Sequence, residues 1–181
     1  QVRDMARNFS NEIIRPMAQE LDEKENFPHE LYLNMGELGL FGIGVPEEDG
    51  GPGCDTVTYA LVMEELSRGY SSVADQCGLI ELITTLLVRH GTLKQKTQLL
   101  SDIMSAKKLV AYCITEPEAG TDVSGIRTKA TKCDDGWVLN GGKIWIHNAP
   151  VADLGFVLAR TDPEAGHRGM SIFIVDLHAK G

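Results

Sequence analysis

The chain has 181 residues, 43% of them hydrophobic and 24% charged, a balance that excludes a disordered polyampholyte and allows a packed core. Its 17 Lys and Arg against 26 Asp and Glu leave a formal charge of −9, which argues against a general nucleic-acid binder, because such a protein needs a concentrated basic face. An anionic ligand is not excluded, since backbone N–H groups and helix ends hold phosphate even in an acidic protein.

The first hundred or so residues carry helical periodicity. Met5, Phe9, Ile13, Met17 and Leu21 recur at every fourth position, one face of a helix over 2–21. Asn26-Phe27-Pro28 breaks the pattern, and Pro28 suits the first turn of a short helix over 29–38. Residues 39–53 are dense in Gly and Pro and predict a loop. Asp55 or Thr56 can cap the next helix, which Gly69 stops. Ser71 or Ser72 can cap a more apolar helix running to Arg89 and closed by His90-Gly91. A last helix, 92–106, turns Leu93, Leu99, Leu100, Ile103 and Met104 inward. No apolar run approaches the ~20 residues needed to cross a bilayer, and no signal peptide is visible. The chain starts at Gln1 rather than Met, already in helical pattern, so a natural start further upstream is expected.

The character changes near Leu109. Val110 to Thr115 is a compact β-prone run, and Ile126 to Cys133 alternates weakly. Asp134-Asp135-Gly136 is a hairpin-type turn before Trp137-Val138-Leu139, and Asn140-Gly141-Gly142 is another before Lys143-Ile144-Trp145-Ile146. Residues 154–160 and 170–176 are two further strands. Helices followed by strands predict separate domains rather than an alternating fold. The boundaries are 1–109 for an all-α domain and 110–181 for a β domain whose sheet is expected to be incomplete.

Cys54, Cys77, Cys113 and Cys133 lie far apart and form no C-x-x-C pair, so reduced, packed thiols are expected. The five histidines also lack ligand spacing, and no metal site is expected. There is no G-x-S-x-G, H-E-x-x-H, G-x-x-x-x-G-K-[ST] or G-x-G-x-x-G pattern.

Two stretches stand out. In the first, Tyr112-Cys113-Ile114-Thr115-Glu116-Pro117-Glu118-Ala119-Gly120-Thr121-Asp122, a strand runs into a turn rich in hydroxyls and backbone donors. Such an edge suits an anionic or heteroaromatic ligand, although an ordinary strand-ending turn has the same composition. In the second, Lys143-Ile144-Trp145-Ile146-His147-Asn148, a Trp at a strand end can stack on a flat cofactor, but pattern alone favours a core position for Trp145 between isoleucines.

Together these stretches resemble the acyl-CoA dehydrogenase family. Its signature is an aromatic residue followed by x-x-Thr-Glu-Pro-x-Ala-Gly-Ser-Asp; here the residues are Tyr112, Thr115-Glu116-Pro117, Ala119-Gly120 and Thr121-Asp122. The family's Asn-Gly-x-Lys-x-Trp-Ile-[Thr/Ser]-Asn is matched by Asn140 to Asn148, with His147 at the hydroxyl position. Leu38 to Ile43, Val45 to Glu48, Gly50 to Gly53, Glu64 to Ser67 and Gly91-Thr92 with Gln95-Lys96 also fit, so the resemblance covers the whole chain.

The resemblance implies a multi-domain α+β protein: an all-α N-terminal domain, a middle antiparallel β-barrel domain, incomplete here, and a C-terminal four-helix domain beyond residue 181. It implies FAD as cofactor. Tyr112, Ile114, Thr115, Gly120 and Thr121 would line the FAD site, with Thr121 also near the acyl-CoA. Trp145 would pack on the flavin, flanked by Ile146 and His147. The implied reaction is α,β-dehydrogenation of a saturated acyl-CoA thioester, its base a Glu in the absent domain, so no catalytic residue is assigned. Electrons would pass to an electron-transfer flavoprotein, and the full-length protein would be a homotetramer in bacterial cytoplasm or the mitochondrial matrix. An acyl-CoA oxidase, a flavin monooxygenase or an inactive assembly module are alternatives on the same scaffold. An imidazole at 147 either tunes the flavin and the substrate space or points aside.

Overall fold

A computed structural model describes residues 1–179. They form two units, Gln1–Lys108 and Leu109–Gly181.

The first unit is helical. Helix α1 (Val2–Phe9) passes through a π turn, Ser10–Ile14, into α2 (Arg15–Lys24). Pro16 has no N–H to donate and its ring crowds the carbonyl four residues back, so the turn before it widens. The buried line is Ala6, Ser10 and Ile14, one residue on from the expected stripe, and Ile13 and Met17 are exposed. Close approach explains the shift. At Gly69, just after α4 (Thr56–Ser67), an added Cβ would lie 2.6 Å from Ser10 Oγ and 3.0 Å from Ile14 Cγ2. At the same crossing the buried Glu65 carboxylate accepts from Arg7 Nη2 at 2.7 Å and Arg3 Nε at 2.8 Å. Those bonds, Arg7's first, hold its carboxyl down to about 2.

Helix α3 (His29–Glu37) leads into the predicted loop, which holds one short 3-10 turn, Glu47–Asp49. Gly51 lets the chain double back: a Cβ there would lie 2.2 Å from the Val45 carbonyl oxygen. Two side chains pin the loop. Glu81 of α5 (Ser71–His90) accepts from the Gly44 N–H at 3.0 Å, and Lys96 of α6 (Leu93–Met104) meets Asp49 at 3.1 Å.

Three expectations for these helices change. Tyr70, not a serine, is the N-cap of α5, and it makes no side-chain cap bond; Ser71 and Ser72 lie inside the first turn. By length and mean hydropathy α5 could cross a bilayer, contrary to the reading that no run does. Its buried line, Val73, Cys77, Ile80, Ile83 and Leu87, nevertheless packs against α4 and α6 as a core helix does. Leu93 is 81% exposed rather than inward, because it sits in the first turn, beyond the packed rows of Leu100 and Ile103. Thr92 and Gln95 close that end with a reciprocal capping box.

The second unit is a five-stranded sheet. Strand β1 (Val110–Cys113) pairs parallel with β4 (Leu154–Arg160), from Val110↔Leu154 to Cys113↔Val157. The hairpin of β2 (Lys129–Cys133) and β3 (Gly136–Asn140) turns at Asp134-Asp135, as expected, and joins the far end of β4 at Lys129↔Arg160. Strand β5 (Met170–Asp176) runs antiparallel along the other edge of β4. The sheet is open and mixed, not purely antiparallel, because β1 reaches β4 through a long crossover that returns the chain in the same direction. Each face carries a small apolar cluster: Ala111, Cys113 and Ala152 on one, and Ala119, Ile126 and Leu158 on the other.

The segment 143–146 is not a strand. Trp145 has φ +58°, a left-handed value that breaks extended pairing, and Asn148 repeats it at +61°.

Candidate functional site

The site grows from the end of β1. After Cys113 the chain makes a tight bend: Glu116 N–H donates to Ala119 O at 2.8 Å, and Ala119 N–H returns to Glu116 O at 3.1 Å. Pro117 and Glu118 form the tip. Gly120 and Thr121 then run exposed to Asp122, whose carboxylate caps a 3-10 turn, Val123–Gly125, through the Ser124 N–H at 3.0 Å.

Glu116 is the hub. It is 7% exposed, and its carboxylate accepts from Arg127 N–H at 2.6 Å, Thr128 N–H at 3.0 Å, Thr128 Oγ1 at 2.5 Å and Lys143 Nζ at 2.8 Å. Burial alone would push its carboxyl up; Lys143, Thr128 and the two backbone donors outweigh that and hold it down to about 2. A carboxylate so low and so fully engaged is no proton acceptor near neutral pH, and it is a structural anchor.

Lys143 also donates to the Ile114 carbonyl at 2.9 Å, and the Ile144 N–H donates to the Thr115 carbonyl at 2.9 Å. These bonds fasten one end of the 143–148 segment to the two residues that follow β1. At its other end Asn148 Nδ2 donates to Val110 O at 3.2 Å, and Ile146 packs on the Ala111–Cys113 cluster. Between the two fastenings Trp145 is thrust outward, 85% exposed. This overturns the core position that pattern alone favoured, and the φ value gives the reason: the left-handed turn reverses the side-chain direction that alternation assumes. A non-glycine residue in that region costs about 1–2 kcal/mol, and such strain gathers at functional sites.

Ile114 packs in the Ala119–Ile126 cluster, whereas Ile146 packs on the opposite face. Tyr112 is half-buried on β1, and burial raises its phenol above the ordinary value. Thr115, Gly120 and Thr121 lie along one bend, with only Thr115 Cγ2, at 3.8 Å, near an added Gly120 Cβ. His147 is exposed on the turn after Ile146. Thus the structure joins the Thr115 and Trp145 segments by direct bonds and gives Ile114 and Ile146 packing roles. Sequence reasoning did not single out Lys143 and Thr128, although a lysine two residues before Trp145 was visible in the second stretch.

Gly120, Thr121 and the Trp145 indole are all exposed. Gly120 has no positive φ and meets no close atom, so neither backbone geometry nor packing calls for glycine there; an approaching ligand would. The exposed indole presents an apolar face, and Gly120 and Thr121 carry exposed backbone beyond the bonds that close the bend.

Comparison with known proteins gives a consistent picture. Residues 1–107 match the model of the acyl-CoA dehydrogenase N-terminal domain, and residues 111–181 that of the acyl-CoA dehydrogenase middle domain. A short-chain-specific acyl-CoA dehydrogenase of Clostridium acetobutylicum is 40% identical over 185 residues, covering 99% of this chain and 48% of that protein. The structure of butyryl-CoA dehydrogenase from Megasphaera elsdenii superposes with a TM-score of 0.88 at 36% identity, covering 97% of this chain and 47% of that one. A glutaryl-CoA dehydrogenase from Mycobacterium smegmatis in complex with FADH2 gives 0.90 at 29% identity, covering 98% and 45%. The chain therefore spans about half the length of the relatives it matches.

Proposed function

The chain belongs to the acyl-CoA dehydrogenase family, and from that premise we propose that it holds FAD and takes part in α,β-dehydrogenation of an acyl-CoA thioester, with electrons passed to an electron-transfer flavoprotein. The observation that carries this reading is the outward Trp145 indole, on a segment that the Ile144 N–H bonds to Thr115, at the head of the bend that leads to the open backbone at Gly120 and Thr121. Tyr112, Thr115, Gly120 and Thr121 would hold polar edges of the cofactor; Trp145 would cover its ring system, with Ile146 and His147 flanking. Thr121 would also face the thioester. FAD supplies, when bound, a two-electron acceptor for the hydride lost from the substrate.

The chain's own residues would orient and shield. Trp145 would exclude water from one side of the ring, and Thr121 would lie near the acyl group. Glu116 is not the base of this reaction, since four donors already occupy its carboxylate. The relatives act on acyl groups of different kinds, and a short acyl chain is the substrate class we propose from the Clostridium and Megasphaera proteins.

The test is the visible spectrum of the purified full-length protein before and after anaerobic addition of short, branched and dicarboxylic acyl-CoAs. A yellow protein bleached by a short thioester is expected. A flavin-free protein, or a yellow one that no thioester bleaches, overturns the reading.

A further inference from the structure

Lys143 and Glu116 form a nearly buried ion pair, with side chains 11% and 6% exposed, that touches three separate segments. Glu116 binds Arg127 and Thr128, just before β2; Lys143 binds Ile114 O, just after β1; and the Ile144 N–H beside it binds Thr115 O. Two residues on from that lysine comes Trp145, strained and outward. Nothing in the local chain favours this pose, because tryptophan has no intrinsic preference for left-handed backbone.

We propose that Lys143 is a positioning residue for Trp145, and that Glu116 is the fixed counter-charge from which Lys143 works. The proposal rests on the FAD reading for its purpose, but its geometry concerns the protein alone. Lys143 Nζ spends two of its three donors on Glu116 Oε1 and Ile114 O. That places the backbone of 143 against the bend, directs the Ile144 N–H at Thr115 O, and leaves the next residue to turn outward. Removing the ammonium still leaves Glu116 with three donors, Arg127 N–H, Thr128 N–H and Thr128 Oγ1, so the anchor itself survives. The loss then falls on the Trp145 segment rather than on the fold.

The experiment uses the full-length protein, with and without FAD. Lys143→Met keeps the length of the stem and removes the charge; Lys143→Arg restores a cation. Amide hydrogen exchange is followed at Ile144 and, as an internal reference, along β4. In the flavin-free protein, Lys143→Met is expected to lower Ile144 protection about tenfold while β4 keeps its own, with Lys143→Arg recovering part of the loss. In the loaded protein, Lys143→Met is expected to weaken FAD binding about tenfold and to change the shape of the visible flavin band. Unchanged Ile144 protection overturns the proposal. So does equal loss at Ile144 and β4, which makes the pair a fold-stability element only. A wild-type protein that binds no FAD, yet shows the selective Ile144 loss in Lys143→Met, upholds the positioning pair and rejects the cofactor reading.

Discussion

The indole of Trp137 on β3 meets the ring of Phe173 on β5 edge-on, with centroids 5.5 Å apart and planes at 62°. Both residues line a cavity of about 540 Å³ together with Leu139, Val175 and Leu177. The two rings tie the hairpin to a strand that it does not hydrogen-bond. A double-mutant cycle on Trp137→Ala and Phe173→Ala, followed by denaturant unfolding, should therefore return a coupling of about 1 kcal/mol. Strict additivity would mean that the rings touch without helping one another.

Acid should act on this protein in two opposite ways. Lys143, Thr128 and backbone donors hold Glu116 down to about 2 against its burial, so its contribution to stability is complete above the ordinary carboxylate range and is lost as pH falls toward 2. Burial raises Glu81 despite its bonds from Gly44 and Ile43, so its contribution is present at low pH and is lost as pH rises through its folded value. Unfolding curves taken from pH 2 to 7 should show a shallower acid decline in Glu116→Gln. Glu81→Gln should gain most on wild type at neutral pH and least below about pH 4, where the carboxyl is protonated in both states.

Glycines at 51 and 120 should answer differently to alanine. At Gly51 the new Cβ meets backbone at 2.2 Å, so Gly51→Ala should destabilise by about 1–3 kcal/mol. At Gly120 the nearest atom is a methyl at 3.8 Å, so Gly120→Ala should change the flavin-free protein by under about 0.5 kcal/mol. Its effect should appear only in a flavin titration, as weaker binding. A large fall in flavin-free melting temperature would remove the ligand explanation for this glycine.

Trp145 should trade stability for function. The ring is 85% exposed and packs little, while its backbone suits glycine. Trp145→Gly should raise flavin-free stability by up to about 1 kcal/mol and weaken FAD binding. Thermal melts with and without FAD read both effects; a lower flavin-free melt would show that the indole packs in solution.

Much of this was legible in the sequence. Periodicity placed the helices because their apolar faces do bury, and turn chemistry placed the Asp134-Asp135 hairpin. What failed was phase and direction. The buried stripe moved by one residue, because Ser10 and Ile14 face the close approach at Gly69, where a small hydroxyl fits and apolar area does not decide. The strand expected at 143–146 failed because its alternation is real but its fastening is not a ladder: a lysine head group and one N–H replace paired backbone. Of the candidate site, the motif residues were visible, but the Glu116–Lys143 pair joins positions 27 apart in the chain, and local pattern carries no signal for it.

The open sheet has a consequence for handling the protein. Among the described residues β3 pairs only with β2, and β5 only with β4, so each presents an unpaired backbone edge. Val138 and Ile172, on those two strands, are exposed apolar side chains. Unsatisfied edges of this kind template the addition of further strands. Residues 109–181 handled alone should thus associate edge to edge as concentration rises, and a lysine at 138 or 172 is the change that would keep them apart.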